Sequence, residues 1–380
     1  MRVLFFNEGN LGTYVLGQGQ LDEALRHGLE NEPELDARFA GIKPLGRLGH
    51  AFATRRFAPL SRWDLDYEVL RHHALQSLRA RAALRRELDA WTPDVVHVHT
   101  HSISFALAGT MRRVPLVVSL DTTVRDWWEM PAWHKGQRHS NLAIAPSRLL
   151  ERRALKRAAL VLAWTAWARR GVEREAPGAH VVEHHPGIDL DRYRPAPRQE
   201  RRLPRVLFVG GRFAEKGGED LLQALGPELG QTVELDLVTP IEVEPRAGLS
   251  VHRLAPGDPR LVELQQQADV FCLPTYGDAA PWAVLEAMAC GTPVLASGVG
   301  GIPEMLDRGR AGMLVGHGDV RALRTALHSL IGDPARREAL AAAARTRCET
   351  RYDHRLQFAA LRGLLADAVA ETDTQAVTHA

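Results

Sequence analysis

The chain has 380 residues, 45% of them hydrophobic, and its 48 Lys and Arg stand against 46 Asp and Glu. That length exceeds one ordinary domain and the apolar content suffices for sizeable cores, so two domains are expected. A net charge of +2 excludes the broad positive field of a general nucleic-acid binder, and no apolar stretch approaches the roughly 20 residues needed to span a bilayer.

Apolar runs alternate with helical patterns from end to end, which points to the α/β class, with parallel sheets covered on both faces. Strands are predicted at residues 2–6, 94–99, 115–120 and 160–164, with a long Arg-rich helix over 65–90. Residues 191–204 are polar, Pro-punctuated and aperiodic, the mark of a linker. Strands resume at 205–209, 233–238, 251–254, 269–273, 293–296 and 313–315, and Ala-rich helices over 320–370 precede a polar, frayed tail at 371–380. The expected organisation is a domain over 1–190, the linker 191–204, a second domain over 205–350, and a C-terminal helix and tail over 351–380 that is free to pack back on the first domain. Two doubly wound domains joined in this way bind ligand at their strand C-termini, so the active site is expected in the cleft between them. Cys272, Cys290 and Cys348 form no CxxC pair and residues 1–7 carry no secretory signal, so reduced thiols in a cytoplasmic protein are expected.

The most informative segment is residues 274–297, PTYGDAAPWAVLEAMACGTPVLAS. Asp278 follows an apolar strand, and residues 283–289 are good helix formers that stop at Gly291. Asp278 can therefore hold a ligand at the helix mouth while Glu286, about two turns inside, reaches the ligand's far side. Taken singly, Asp278 is explained as a helix cap, worth about 0.5–2 kcal/mol, and Glu286 as a solvated helix residue. Residues 206–222 run strand, glycine turn, basic residues, helix. Gly210 and Gly211 let a diphosphate approach the backbone, and Arg212 with Lys216 can neutralise it, although a plain turn with a solvated lysine explains this motif alone. A third glycine turn follows at residues 299–304, VGGIPE.

These three ordered motifs resemble those of retaining glycosyltransferases of the two-domain GT-B class, especially glycosyltransferase family 4. The pair Asp278 and Glu286 is similar to the family's E-x7-E motif with Asp in first place, and residues 210–217 are similar to its G-R-x-x-x-E-K-G segment, with Arg212 one residue nearer Lys216 than in the commonest form. The resemblance implies two Rossmann-like domains facing across a cleft. It implies that Asp278 touches the donor sugar, Glu286 the nucleotide's ribose, and Arg212 and Lys216 the pyrophosphate. Gly210, Gly211, Ala280, Pro281 and Trp282 complete the implied donor site. The implied reaction moves a sugar from a UDP or GDP donor to a hydroxyl on a sugar or lipid-linked acceptor, as in cell-surface glycan or glycolipid synthesis. It uses neither metal nor cofactor and retains configuration by front-face attack assisted by the leaving phosphate.

In the first half, Gly9, Asn10 and Gly12 follow the first strand and offer backbone amides to phosphate or acceptor, with a simple turn as the alternative; the pattern is not G-x-G-x-x-G. His97, His99 and His101 alternate near a strand end, and His99 joins the acceptor candidates. A metal site is disfavoured because no Cys, Asp or Glu lies among them, and the run resembles the family's metal-free D-V-V-H-x-H strand. Asp64-Leu-Asp66 and Asp189-Leu-Asp191 imitate the D-x-D metal motif of single-domain transferases without following a nucleotide-binding strand, and residues 184–189 resemble the family's P-N-G-V-D segment. Asp121 ends a strand that in the family carries His or Asp near the reacting carbon. It either orients or deprotonates the acceptor, steadies oxocarbenium charge, or bonds local amides. Asp121 and Asp278 are thus the catalytic candidates. Residues 47–63 mix Phe52, Arg55, Arg56, Phe57, Leu60, Arg62 and Trp63, which suits either anionic lipid headgroups or a partly buried helix with solvated arginines. Peripheral contact at the inner membrane surface therefore stays open. Two rival readings are a GT-B sugar-nucleotide epimerase and a catalytically silent sugar-nucleotide-binding scaffold.

Overall fold

The structure, a computed structural model, describes residues 1–8, 25–26, 29, 35–43, 45–55, 57, 60–63, 65, 67–112, 114–133, 141–255 and 257–378. It divides into two compact units, one comprising Met1–Glu129, His134–Pro186 and Gln357–Ala380, the other Met130–Trp133 and Gly187–Leu356.

The first unit is built on a six-stranded sheet of β1 (Arg2–Glu8), β2 (Asp36–Ile42), β3 (Val95–His99), β4 (Leu116–Leu120), β5 (Leu160–Ala163) and β6 (Val181–Glu183). The order is β2-β1-β3-β4-β5-β6 and every pairing is parallel. Alternation along each strand sends Leu4, Phe6, Val96, Val98, Val118 and Leu120 into one core, joined by Ala80 and Leu84 of the helix Glu68–Ala90. Phe5 and His97 meet edge to face at 5.6 Å, with Phe5 stacked on Phe39 at 5.0 Å. Burial on both faces is why β1, β4 and β5 read as mainly apolar runs.

The second unit repeats the plan with β7 (Arg205–Val209), β8 (Glu234–Val238), β9 (Leu249–His252), β10 (Val270–Leu273), β11 (Val294–Ser297) and β12 (Met313–Val315), ordered β12-β11-β10-β7-β8-β9 and again all parallel. Strand order reverses between β7 and β10, the position at which open α/β sheets take ligands beyond their strand C-termini. Both the glycine turn after β7 and the carboxylate segment after β10 lie there.

Four elements differ from the sequence expectation. β2 is an edge strand that is half-exposed over most of its length and carries Asp36, Arg38 and Gly41, so it lacks an apolar signature; β6 has only three residues. β9 begins at Leu249, two residues earlier than expected. The last helix, His354–Thr378, continues through the polar segment expected to fray.

Two glycines set the loops around the β7–β10 crevice. Gly217 has φ +77°, and a Cβ there would lie 2.0 Å from the Pro274 carbonyl oxygen. Gly300 has φ +55°, and a Cβ there would lie 2.0 Å from the Asp278 carbonyl oxygen. At both positions the left-handed backbone and the close approach demand glycine. Gly309, at φ +98° with no atom within 4 Å of its would-be Cβ, provides a control that isolates the conformational cost. Gly309→Ala should cost about 1–2 kcal/mol, the usual penalty of a left-handed residue, and Gly217→Ala distinctly more; equal costs in urea denaturation would show that the turn after β7 is not pressed against Pro274.

Candidate active site

The donor-side candidates converge in the second unit. Gly210 closes β7, its amide donating to the Val238 carbonyl (3.0 Å), and the turn tightens through Lys216 N–H donating to the Arg212 carbonyl at 2.9 Å. Phe213 is tucked under this turn, edge to face with Phe208 at 5.5 Å. The next helix, Gly218–Leu225, starts at the left-handed Gly217.

The segment after β10 is stitched to this turn. Tyr276 N–H donates to the Glu215 carbonyl at 2.9 Å, and the Thr275 hydroxyl donates to Glu215 O at 3.3 Å and Gly277 O at 3.1 Å. The Tyr276 hydroxyl donates to Asp220 Oδ2 at 2.7 Å, a bond that, with burial, pushes its pKa up to about 12 and keeps it a donor. The Lys216 ammonium pairs directly with the Asp278 carboxylate, both side chains keeping a minority of their surface exposed. A cation and a carboxylate from motifs 62 positions apart thus meet at the strand switch point.

Asp278 is not the helix cap that its position suggests. The helix spans Trp282–Ala289 and its N-cap is Pro281, with no side-chain capping bond. Glu286 consequently lies just over one turn inside, not two, and it is buried at 2% exposure. Its Oε1 accepts from the Tyr193 hydroxyl at 3.2 Å, and the Tyr193 carbonyl accepts from Arg345 at 2.9 Å. Ala280 and Pro281 are buried between Asp278 and the helix, Trp282 is half-buried, and Gly211 and Arg212 are exposed. The third glycine turn closes on the same segment through Gly301 N–H donating to the Ala279 carbonyl at 2.8 Å.

In the first unit, Asp121 occupies the bend directly after β4 and is half-buried. Thr123 fixes the following turn: its Oγ1 accepts from Asp126 N–H at 3.1 Å and donates to Asp126 Oδ2 at 2.7 Å. The neighbouring Val124 N–H donates to Glu151 Oε1 at 2.8 Å, and His101 Nε2 lies 3.1 Å from the same oxygen. Glu151 therefore ties the end of β3 to the end of β4. His99 is stacked on Trp164 (5.1 Å, 7° between planes), and Trp164 Nε1–H donates to Ser119 Oγ at 2.9 Å. Glu8, ending β1, accepts from Gln76 Nε2 at 2.6 Å and from Ser102 at 3.2 Å. Gly9, Asn10 and Gly12, together with Asp64 and Asp66, lie outside the described residues.

Glu8, Glu151, Trp164 and Tyr193 are the residues that sequence reasoning missed. Glu151 had a legible signal, a carboxylate on the buried helix face of Ala143, Ile144, Ser147, Ala154 and Leu155; the others depend on tertiary partners alone. Asp189 is a turn former, its Oδ1 accepting from Asp191 N–H at 2.8 Å and Arg192 N–H at 3.1 Å. Among the described residues, no group of three His, Cys, Asp or Glu is placed to hold a metal ion.

Two doubly wound units, one gathering a glycine turn, a lysine and two carboxylates at its switch point, define the GT-B class of glycosyltransferases. Residues 203–333 match the family described as Glycosyl transferases group 1, and residues 50–192 match Glycosyltransferase Family 4. The D-inositol 3-phosphate glycosyltransferase 1 of Catenulispora acidiphila is 30% identical over 292 residues, 66% of this chain and 67% of that protein. Enzymes of that type from Streptomyces avermitilis and Rhodococcus jostii align over only 41% of their length. Among solved structures, the sucrose-phosphate synthase of Thermosynechococcus elongatus matches with TM-score 0.76 at 16% identity, covering 97% of this chain and 99% of that one. Anabaena HepE in complex with UDP-glucose matches at TM-score 0.68 and 18% identity, covering 96% and 100%. The chain belongs to glycosyltransferase family 4, and it is an enzyme of that kind.

The imidazoles at the β3 end are neutral. Burial, followed by neighbouring histidines, lowers the pKa of His97 and of His99 from 6.5 to about 3. In the unfolded chain both take up protons near pH 6.5, so between that value and about 3 the unfolded state binds more protons. Stability from this source is fully present above pH 6.5 and is lost as pH falls through the window. Urea midpoints measured downward from pH 6.5 should fall, and less steeply in His97→Gln; an unchanged slope would mean that His97 protonates freely in the folded protein.

Proposed function

We propose that the enzyme is a retaining, metal-independent transferase that moves a sugar from a nucleoside diphosphate, UDP or GDP, to a hydroxyl acceptor. The observation that carries this reading is the Lys216–Asp278 pair held between two glycine turns, with buried Glu286 on the adjoining helix. The diphosphate takes the ammonium of Lys216, with Arg212 exposed nearby in sequence to share its charge. Released from Lys216, Asp278 accepts hydrogen bonds from hydroxyls of the donor sugar. Glu286, oriented by Tyr193, accepts from the ribose hydroxyls. Solved structures of similar fold in complex with UDP and with UDP-glucose support a uridine donor.

In the reaction the acceptor oxygen bonds to the anomeric carbon while the carbon–oxygen bond to the diphosphate breaks, its electron pair passing to phosphate. The acceptor's proton goes to that phosphate oxygen on the same face, so configuration is retained without an enzymic nucleophile. Lys216 stabilises the charge that develops on the leaving group. Asp121 and neutral His99 are assigned to the acceptor hydroxyl.

Calorimetry with UDP and uridine tests the phosphate assignment. Lys216→Ala should weaken UDP about 10- to 100-fold, the loss of one charge-assisted hydrogen bond, and leave uridine nearly unchanged; equal losses would remove Lys216 from the phosphate site. Product anomers followed by NMR in the presence of EDTA should show retained configuration, and a requirement for added Mn²⁺ would contradict the metal-free mechanism.

A further inference from the structure

Residues 43–63 contain Lys43, Arg47, Arg55, Arg56 and Arg62 and neither Asp nor Glu, in a chain whose overall charge is nearly balanced. Within them the short helix Arg47–Thr54 buries Ala53 alone. Leu48 is 90% exposed and Phe52 57% exposed, one turn apart on the same helix face. Leu60, at 49%, and Phe57, at 37%, extend the exposed apolar tips beyond the helix. Lys43, Arg47 and Arg55 are themselves exposed.

This surface is held in shape. Arg71, from the helix Glu68–Ala90, donates to the carbonyl of Phe52 and to that of Arg55, each at 2.5 Å. Its guanidinium lies 4.6 Å from the Phe57 ring centroid and 5.8 Å from that of Phe52. The aromatic rings are thereby presented to solvent from a fixed backbone, so docking them costs little ordering entropy.

We infer that the helix Arg47–Thr54 and the described residues flanking it form a docking surface for an anionic lipid bilayer, into whose interface Leu48, Phe52, Phe57 and Leu60 insert while Lys43, Arg47 and Arg55 meet the headgroups. Apolar tips fenced by cations, in a segment without Asp or Glu, fit an interfacial helix lying in the plane of an anionic membrane. Among the described residues no helix is long and apolar enough to cross a membrane. The helix follows the C-terminal end of β2, where Ile42 pairs with Glu8, so the docking surface adjoins the strand-end loops of the first unit. The inference is independent of the donor assignment.

Co-sedimentation with vesicles of phosphatidylcholine alone, and of phosphatidylcholine mixed with phosphatidylglycerol, tests it. The protein should sediment with the anionic vesicles only, and less as salt rises. Arg47→Gln and Arg55→Gln should each weaken binding about fivefold, and Leu48→Asp with Phe52→Asp should abolish it. Leu356→Asp, at an exposed leucine elsewhere, should leave it unchanged. Melting curves and UDP affinity measured on the same preparations separate loss of docking from loss of fold or of the donor site. Failure of the wild type to sediment, equal binding to both vesicle types, or a dimer in light scattering that the Leu48 and Phe52 variants dissolve would overturn the inference.

Discussion

Pro274 and Asp278 each present a backbone carbonyl to a glycine that has no Cβ to keep it away, and on this double approach the second unit's site depends. Gly217 brings the turn after β7 against one end of the segment, and Gly300 brings the turn after β11 against the other. The hydrogen bonds from Tyr276 to Glu215 and from Gly301 to Ala279 then lock three loops together at the ends of β7, β10 and β11. Packing of this kind fixes Lys216 and Asp278 near each other before any ligand arrives, which is the preorganisation that electrostatic catalysis requires.

The two units differ in how they treat charge. At the strand ends of the first unit, burial and then neighbouring histidines keep His97 and His99 neutral, and stacking on Trp164 fixes the ring of His99. A neutral imidazole can donate or accept a hydrogen bond without titrating near neutrality. In the second unit charge is retained, because Lys216 and Asp278 offset each other while staying partly in contact with solvent. In the proposed function this pair exchanges partners, a diphosphate replacing the carboxylate on lysine and sugar hydroxyls replacing lysine on the carboxylate.

Motifs with local spacing were legible in the sequence, and so were strands buried on both faces. The glycine turn at 210–217, the helix after Pro281 and ten of the twelve strands follow from apolar runs and turn chemistry within short windows. β2 was hidden because an edge strand with Asp36 and Arg38 has no apolar run, and β6 because three residues carry no period. The mutual pairing of Lys216 with Asp278, and the hold of Tyr193 on Glu286, could not be read because each joins residues brought together only by the sheet order. The alternative of Asp278 as a helix cap is not realised, because Pro281 is the N-cap and the carboxylate pairs with Lys216.

Competition between Asp278 and phosphate for Lys216 is the centre of this account, and UDP affinity in Asp278→Asn measures it most directly. Removing the carboxylate frees the ammonium and abolishes repulsion of the diphosphate, so calorimetry should show UDP, which carries no donor sugar for Asp278 to hold, binding several-fold more tightly than to the wild type. Weaker binding of UDP to Asp278→Asn would mean that the pair supports the phosphate site instead of competing with it, and would contradict the account.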